Sequence, residues 1–256
     1  MLTGRGLINE DALRGVFCLL NYYYMKIKTI KTRIFKPKEN LLSFIDDYFP
    51  RLAEKSVLVV TSKIVALSEG RIVENADEQI KAETIKRESD FVLPTEYVCL
   101  TIKDGQVMAN AGIDESNANG SLILLPQDSF RAAGKIRNYL KKKHGLKNLG
   151  VIITDSRSLP LRSGITGIAL GYAGIKGLKD YRQELDIFGR PFHYSRVDVA
   201  DSLATAAVLC MGEGNERRPL AVVLEAPVEY AEKINRNELR IEAKDDIYRP
   251  VFENLI

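Results

Sequence analysis

Histidine and cysteine are scarce in this 256-residue chain, and the scarcity excludes much. Two histidines, His144 and His193, cannot build a histidine-rich zinc centre, and neither belongs to an HExxH motif. His193 is a weakly signalled candidate for catalysis. An exposed or packed imidazole is the plainer reading of both. Cys18, Cys99 and Cys210 are far apart and odd in number, so they offer neither a disulfide framework nor a CxxC knuckle, and a reducing cytoplasm suits them. No apolar run approaches the roughly 20 residues that cross a bilayer. An excess of one charge is missing too: 37 Lys and Arg against 34 Asp and Glu leave +3, too little to predict nucleic-acid binding. GxxxxGK[ST], GxGxxG and GxSxG are all absent, which removes a Walker loop, a dinucleotide fingerprint and a nucleophile elbow.

What is present is an ordinary globular balance, 45% hydrophobic and 28% charged, enough for one large domain or two small ones. Residues 1–24 read apart from the rest. Gly15 to Leu20 is apolar but too short to span a membrane, and it lacks the basic flank and cleavage site of a signal peptide. Met25 then opens an alternating stretch, Lys26 to Thr32, that predicts a half-buried strand. The expected division is an N-terminal extension over 1–24, with Met25 as a natural start, and one domain over 25–256. An amphipathic helix packed on the body is the alternative for the extension.

Helical spacing of Leu41, Leu42, Ile45, Tyr48, Phe49 and Leu52 predicts a helix over 40–52 that Pro50 disturbs. The β-branched run 56–61 predicts a buried strand, after which 62–70 turns away. Short strands are expected at 71–73, 97–102, 106–109 and 122–125, with Asp104-Gly105 closing a hairpin between the second and third. The charged stretch 77–90 predicts a solvated helix. A third helix begins at Asp128 or Ser129 and ends in Lys141-Lys142-Lys143-His144 before Gly145, a basic run that suits a helix C-terminus better than a nucleic acid. Residues 149–154 form the clearest strand, 197–211 a helix capped by Asp198 or Asp201, and 220–224 a final core strand. The tail beyond Pro227 reads as a solvated surface element. Strands and helices alternate without the rhythm of a Rossmann domain.

Carboxylates beside glycines and small polar residues are the remaining source of chemistry. Asp114 lies in Gly112-Ile113-Asp114-Glu115-Ser116-Asn117. Asp155 follows the strand Val151-Ile152-Ile153-Thr154, with Ser156 next. Glu213 lies between Gly212 and Gly214 after Met211. Three such oxygens from separate segments could hold Mg2+ or Mn2+ with nucleotide phosphates completing the shell. Lys63 after Ser62, and Arg162 in Pro160-Leu161-Arg162-Ser163-Gly164, could meet phosphate or carboxylate. Taken singly, each of these is better explained as a cap, a turn residue or a solvated cation.

The order of these motifs carries a resemblance. Thr61-Ser62-Lys63-Ile64-Val65 with Glu69-Gly70-Arg71, Ala111-Gly112-Ile113-Asp114-Glu115-Ser116-Asn117, Leu124-Leu125-Pro126, Ile152-Ile153-Thr154-Asp155-Ser156, and Ala200-Asp201-Ser202-Leu203-Ala204 leading to Met211-Gly212-Glu213 together resemble the γ-glutamyl ligases that attach L-glutamate to the F420 deazaflavin precursor. The similarity runs from about Lys26 to Pro227. It implies a mixed α/β (α+β) fold of the family's own type, neither Rossmann nor P-loop. It implies an amide-forming ligase driven by GTP, with ATP as the alternative, through an acyl phosphate. The implied ions are Mg2+ or Mn2+, with K+ a further candidate, and the implied assembly is a homodimer with its site near the subunit interface.

Residue by residue, the resemblance implies metal ligands at Asp114, Asp155, Ser156 and Glu213, and nucleotide contacts at Ser62, Lys63, Asn117, Met211, Gly212, Glu213 and Gly214. Asp114, Asp155 and Arg162 are the residues it places in catalysis. Ser156 stands where the family usually has Thr. In the family's Thr-x-Gly-Arg-Pro-Trp-Arg-x-Gly stretch, Ser158 replaces the first Gly, Leu159 the Arg and Leu161 the Trp, while Pro160, Arg162 and Gly164 are kept. That altered stretch motivates a second acceptor, a folate-type pterin glutamate. A non-catalytic nucleotide-binding relative is the reading from another class.

Overall fold

The computed structural model describes residues 25–252, so the expected extension over 1–24 lies outside the described residues. Strand β1 (Lys26–Ile30) leads to helix α1 (Leu41–Tyr48), which Asn40 caps by accepting the Ser43 N–H. Strand β2 (Ser56–Thr61) is apolar on both faces and buried on both faces, as a central strand must be. The sequence pattern turned the chain out of β2 at 62–70. Instead helix α2 (Ser62–Ser68) follows at once, because Ile64, Val65, Ala66 and Leu67 are all buried and a helix covered on most sides shows no amphipathic stripe.

Strand β3 (Ile72–Val73), helix α3 (Glu78–Arg87), strands β4 (Phe91–Pro94), β5 (Cys99–Lys103) and β6 (Gln106–Ala109), and strand β7 (Leu122–Ile123) form a smaller unit. β4, β5 and β6 make an antiparallel meander, with the anticipated Asp104-Gly105 turn between β5 and β6. Of the two caps expected for helix α4 (Ser129–His144), the structure uses Asp128, and the helix ends at Gly145 with φ 67° as its sequence predicted.

Next come β8 (Leu149–Ser158), β9 (Ile165–Ala173), β10 (Leu178–Asp180) and β11 (Arg196–Asp198). Helix α5 (Val199–Met211) starts from the Asp198 cap, β12 (Leu220–Leu224) follows, and α6 (Arg249–Phe252) is last.

The main sheet has the order β1-β12-β2-β8-β9. Only β2 and β8 run parallel, which makes this a mixed α+β sheet rather than a doubly wound one. Helices α1, α2 and α4 cover one face around Phe44, Ile45, Leu58, Ile136, Leu140 and Ile153. Helix α5 covers the other around Val57, Val59, Ile152, Ala204, Ala207 and Met211. The tail beyond Pro227 is more than a solvated element. Val228, Tyr230, Ile234 and Leu239 are half-buried against this second core, Glu232 pairs with the buried Arg137, and Glu238 accepts both the Tyr172 hydroxyl at 2.6 Å and the Gly177 N–H at 2.7 Å. Among the described residues no helix is long and apolar enough to cross a membrane.

The glycine-rich stretch 164–177, to which the sequence pattern gave no element, contains β9. A bulge explains its glycines. Ile153 and Thr154 of β8 face Gly171 and Ala169, which leaves Leu170 as the extra residue. The bulge switches the face of everything before it. Gly167 therefore lies against α5, where a Cβ would come 2.8 Å from the Ala204 carbonyl oxygen. Gly171 lies against the start of α4, where a Cβ would come 2.5 Å from the Phe130 nitrogen.

Candidate active site

The parallel pair β2–β8 ends at Thr61 opposite Thr154. The next residues, Ser62 and Asp155, therefore lie side by side where the parallel pairing stops, at the end of β2 and at the point where β8 runs on paired with β9 alone, the edge at which open α/β sheets present their ligand crevices. The Ser62 hydroxyl donates to Asp155 Oδ1 at 3.2 Å. Alternation along β8 sends the next side chain, Ser156, to the opposite face, where its hydroxyl donates to Glu213 Oε1 just beyond α5.

The turn after β6 supplies the third wall. Asp114 pairs through its backbone with Ile123 of β7, and its Oδ2 lies 2.7 Å from Lys63 Nζ. Lys63 also donates to the Ser116 carbonyl at 2.7 Å. The loop 115–120 reaches the loop after α5, where Asn117 Nδ2 donates to the Gly214 carbonyl at 3.1 Å. Four separate segments thus close around Ser62, Lys63, Asp114, Asn117, Asp155, Ser156, Glu213 and Gly214. Gly212, with φ 83°, makes the turn that presents Glu213, and its backbone lies so close to Glu216 that a Cβ would meet that carboxylate.

Two of the residues expected here are placed elsewhere. The Met211 side chain is buried in the second core, so only 212–214 of that stretch face outward. Arg162 sits on the exposed tip of the β8–β9 hairpin, four residues beyond the end of β8. Among the described residues no hydrogen bond or ion pair joins its side chain to the carboxylates. One charged pair was missed from sequence: Arg157 Nη2 lies 3.4 Å from Asp201 Oδ2, and Asp201 Oδ1 accepts the Ala169 N–H beside the bulge. Asp201 was visible within its motif, but nothing local linked it to β8.

The electrostatics of the cluster are lopsided. Burial pushes the Asp155 carboxyl up to about 7. The Ser156 N–H and the Ser62 hydroxyl oppose this rise, and the charges of Asp114 and Glu213 add to it. Burial acts in the same sense on Asp114, but Lys63 and Ser116 outweigh it and hold that carboxyl below the usual range.

Comparison with known proteins fixes the lineage. Residues 29–225 match the F420-0:gamma-glutamyl ligase family. The chain belongs to this family. The coenzyme F420:L-glutamate ligase of Methanococcus maripaludis is 32% identical over 216 residues, 77% of this chain and 86% of its own. That of Methanopyrus kandleri is 32% identical over 207 residues, 73% and 81% of the two chains, and that of Archaeoglobus fulgidus 37% identical over 191 residues, 68% and 76%. The protein is accordingly an amide-forming ligase, which sets aside the non-catalytic reading.

The donor set of this ligase fits a divalent cation in chemistry. Its carboxylate and hydroxyl oxygens, without thiol or imidazole, suit Mg2+ or Mn2+. Burial raises the Asp155 carboxyl and the charges of Asp114 and Glu213 add to it, so a cation at these oxygens would offset a cost the site already carries. Among the described residues no three acidic, histidine or cysteine side chains converge as a ready-made cage. Lys63 occupies Asp114, and Ser156 occupies Glu213. Taking up a cation would exchange these internal contacts for metal contacts.

Proposed function

We propose that this ligase joins the amine of L-glutamate to a carboxylate of the F420 deazaflavin precursor, at the expense of GTP or ATP. The convergence of Lys63, Asp114, Asp155, Ser156 and Glu213 at the ends of β2 and β8 carries the reading. The acceptor carboxylate attacks the γ-phosphorus, the nucleoside diphosphate leaves, and an acyl phosphate forms. The glutamate amine then attacks the acyl carbon, releasing phosphate and a proton and leaving the amide. In the first step two anions approach one another, so positive charge must be supplied at the carboxylates.

Asp114, Asp155 and Glu213, with the Ser156 hydroxyl, are the residues that would hold Mg2+ or Mn2+. Such an ion, when bound, would supply neutralising positive charge. Lys63, which pairs with Asp114, is the cation that would meet phosphate oxygens if a bound ion took its place. Ser62 orients Asp155, and Asn117 with residues 212–214 lines the nucleotide side. We place the reaction in the cytoplasm, where thiols such as the exposed Cys210 stay reduced.

We further infer a homodimer. Ile187 and Phe188, adjacent in the chain, both expose large apolar side chains, which supports an interface there. Arg162, on the same hairpin tip as Leu161, would then act toward the partner copy rather than its own cluster. A folate-type acceptor is the second reading. It is favoured by the exposed apolar tip with Leu159 and Leu161, which suits an acceptor less anionic than a phosphodiester.

The deciding experiment offers the deazaflavin precursor and tetrahydrofolate separately, each with glutamate, Mg2+ or Mn2+, and GTP or ATP, and weighs the products by mass spectrometry. Added glutamate on the deazaflavin alone supports the first reading, and on folate alone the second. Nucleotide turnover with neither product would overturn both acceptors.

A further inference from the structure

We propose that Thr101 is a positioning residue of this active site, acting with Asn110 to clamp the turn that aims Asp114. The inference rests on the reading of Asp114 as a site carboxylate and adds the means by which it is held.

The turn Asn110–Gly112 is unusual. Asn110, Ala111 and Gly112 are successive left-handed residues, with φ of 49°, 57° and 70°. Glycine adopts this region freely and asparagine tolerates it, but alanine does not favour it, because its Cβ crowds the following carbonyl. Something outside the turn must therefore impose the conformation.

Strand β5 does so with two hydrogen bonds. Thr101 is fully buried, and its hydroxyl works in both directions, donating to the Met108 carbonyl at 2.7 Å and accepting the Ala111 N–H at 2.8 Å. Two residues earlier, the Cys99 N–H donates to Asn110 Oδ1 at 2.9 Å. A valine at 101 would keep the shape of threonine and lose both bonds. Without them the Ala111 N–H would be left buried and unpaired.

The surroundings leave the turn one exit. A Cβ at Gly112 would come 2.7 Å from the Leu125 side chain, and Ala111 is packed with Ile85, Ile113, Leu122 and Leu124. The Ile113 N–H closes the turn on the Asn110 carbonyl at 3.0 Å. The next residue, Asp114, exchanges backbone hydrogen bonds of 2.9 Å with Ile123 in both directions. Asp114 is thus fixed on one side by β7 and on the other by a turn gripped from β5. Its carboxylate is delivered between Lys63 Nζ and the Ser116 N–H, at 2.7 and 2.6 Å. Thr101 is itself remote from those contacts, because its hydroxyl is spent on Met108 and Ala111.

A purely structural threonine would lower the melting temperature and leave ligand affinity alone. A positioning threonine changes affinity and turnover in protein that is still folded. The test uses the full chain with Thr101→Val, Thr101→Ser and Asn110→Ala, and Asp114→Asn as reference. It reads Mn2+ affinity by electron paramagnetic resonance with GTP present, kcat and KM for glutamate, and thermal melting.

Folded Thr101→Val is expected to bind Mn2+ about tenfold more weakly and to lose kcat with KM for glutamate unchanged, as when a group supporting a ligand is removed. Thr101→Ser, which keeps the hydroxyl, is expected to restore both. Asn110→Ala is expected to move in the same direction as Thr101→Val, and it carries the test should the valine variant not fold. Wild-type Mn2+ affinity and kcat in folded Thr101→Val or Asn110→Ala, while Asp114→Asn has lost them, would overturn the proposal and leave the site reading intact. Wild-type behaviour of Asp114→Asn would remove the site reading, and the proposal with it.

Discussion

Ser62 and Asp155, 93 residues apart in the chain, are joined by a hydrogen bond of 3.2 Å where the parallel pairing of β2 with β8 stops. The contact follows from β-sheet register. Thr61 lies opposite Thr154, so the residue that follows each is brought beside the other. It places a carboxylate where burial and two like charges make it costly, and that cost gives a first prediction.

Asp155→Asn should separate activity from stability. The amide can still accept the Ser62 hydroxyl, and it removes a charge raised in energy by burial, Asp114 and Glu213. Melting temperature should equal or exceed that of the wild type, while ligation falls by about a hundredfold or more. Thermal unfolding and product formation measured on one preparation check this. Joint loss of both would mean that Asp155 serves the fold.

Glu88 supplies a pH prediction. Its side chain is 11% exposed and takes Arg71 Nη2 at 2.6 Å and Lys103 Nζ at 3.0 Å. Burial raises its carboxyl, but the hydrogen bonds from Arg71 and Lys103 outweigh this and hold it below the usual range. A carboxyl lowered by folding stabilises fully above its unfolded value, near about 4.3, and loses that contribution as pH falls through the folded value. Glu88→Gln should therefore cost about 2 kcal/mol in urea unfolding at pH 7. The difference from wild type should shrink steadily below about pH 4. A gap that stays constant with pH would remove the ion pairs as its cause.

The tail offers a stability test outside the family-matched region, which ends at 225. Glu238 accepts from both Tyr172 and Gly177, and Tyr172 is 1% exposed. Glu238→Ala leaves that phenol and that N–H without their acceptor, so a loss of about 2 kcal/mol is expected. Chemical denaturation would read it, and a change within a few tenths would show that the strap contributes no stability.

Two glycines should respond with opposite signs. At Gly171 a methyl would meet the Ser129–Phe130 backbone at 2.5 Å, so Gly171→Ala should destabilise by about 3 kcal/mol. Gly134 lies within α4 with nothing near its missing Cβ, so Gly134→Ala should stabilise by about 0.5–1 kcal/mol. Paired melting curves compare them directly, and a shared sign would contradict the packing described for β9.

What the sequence determined by itself was what local physics governs. The apolar run of β2, a cap at Asp128 or Ser129 and the Gly145 stop of α4, a cap at Asp198 or Asp201 for α5 and the Asp104-Gly105 hairpin each depend on neighbours within a few residues, and the structure chose Asp128 and Asp198. The motifs around Asp114, Asp155 and Glu213 were legible for a related reason, since each combines a carboxylate with the small residues that expose it. Tertiary structure alone decided the rest. Helix α2 forms where no stripe announced it, because packing covers most of its sides. The bulge at Leu170 exists because β9 must present Gly167 to α5 and Gly171 to α4, a demand that no local window contains. Met211 is drawn into the core and Arg162 is carried to a hairpin tip, although each belongs to a motif that points to the site. The grip of Thr101 on Ala111 spans ten residues through a sheet pairing. Proximity across the sheet is set by register and bulges, and a chain read in one dimension does not display them.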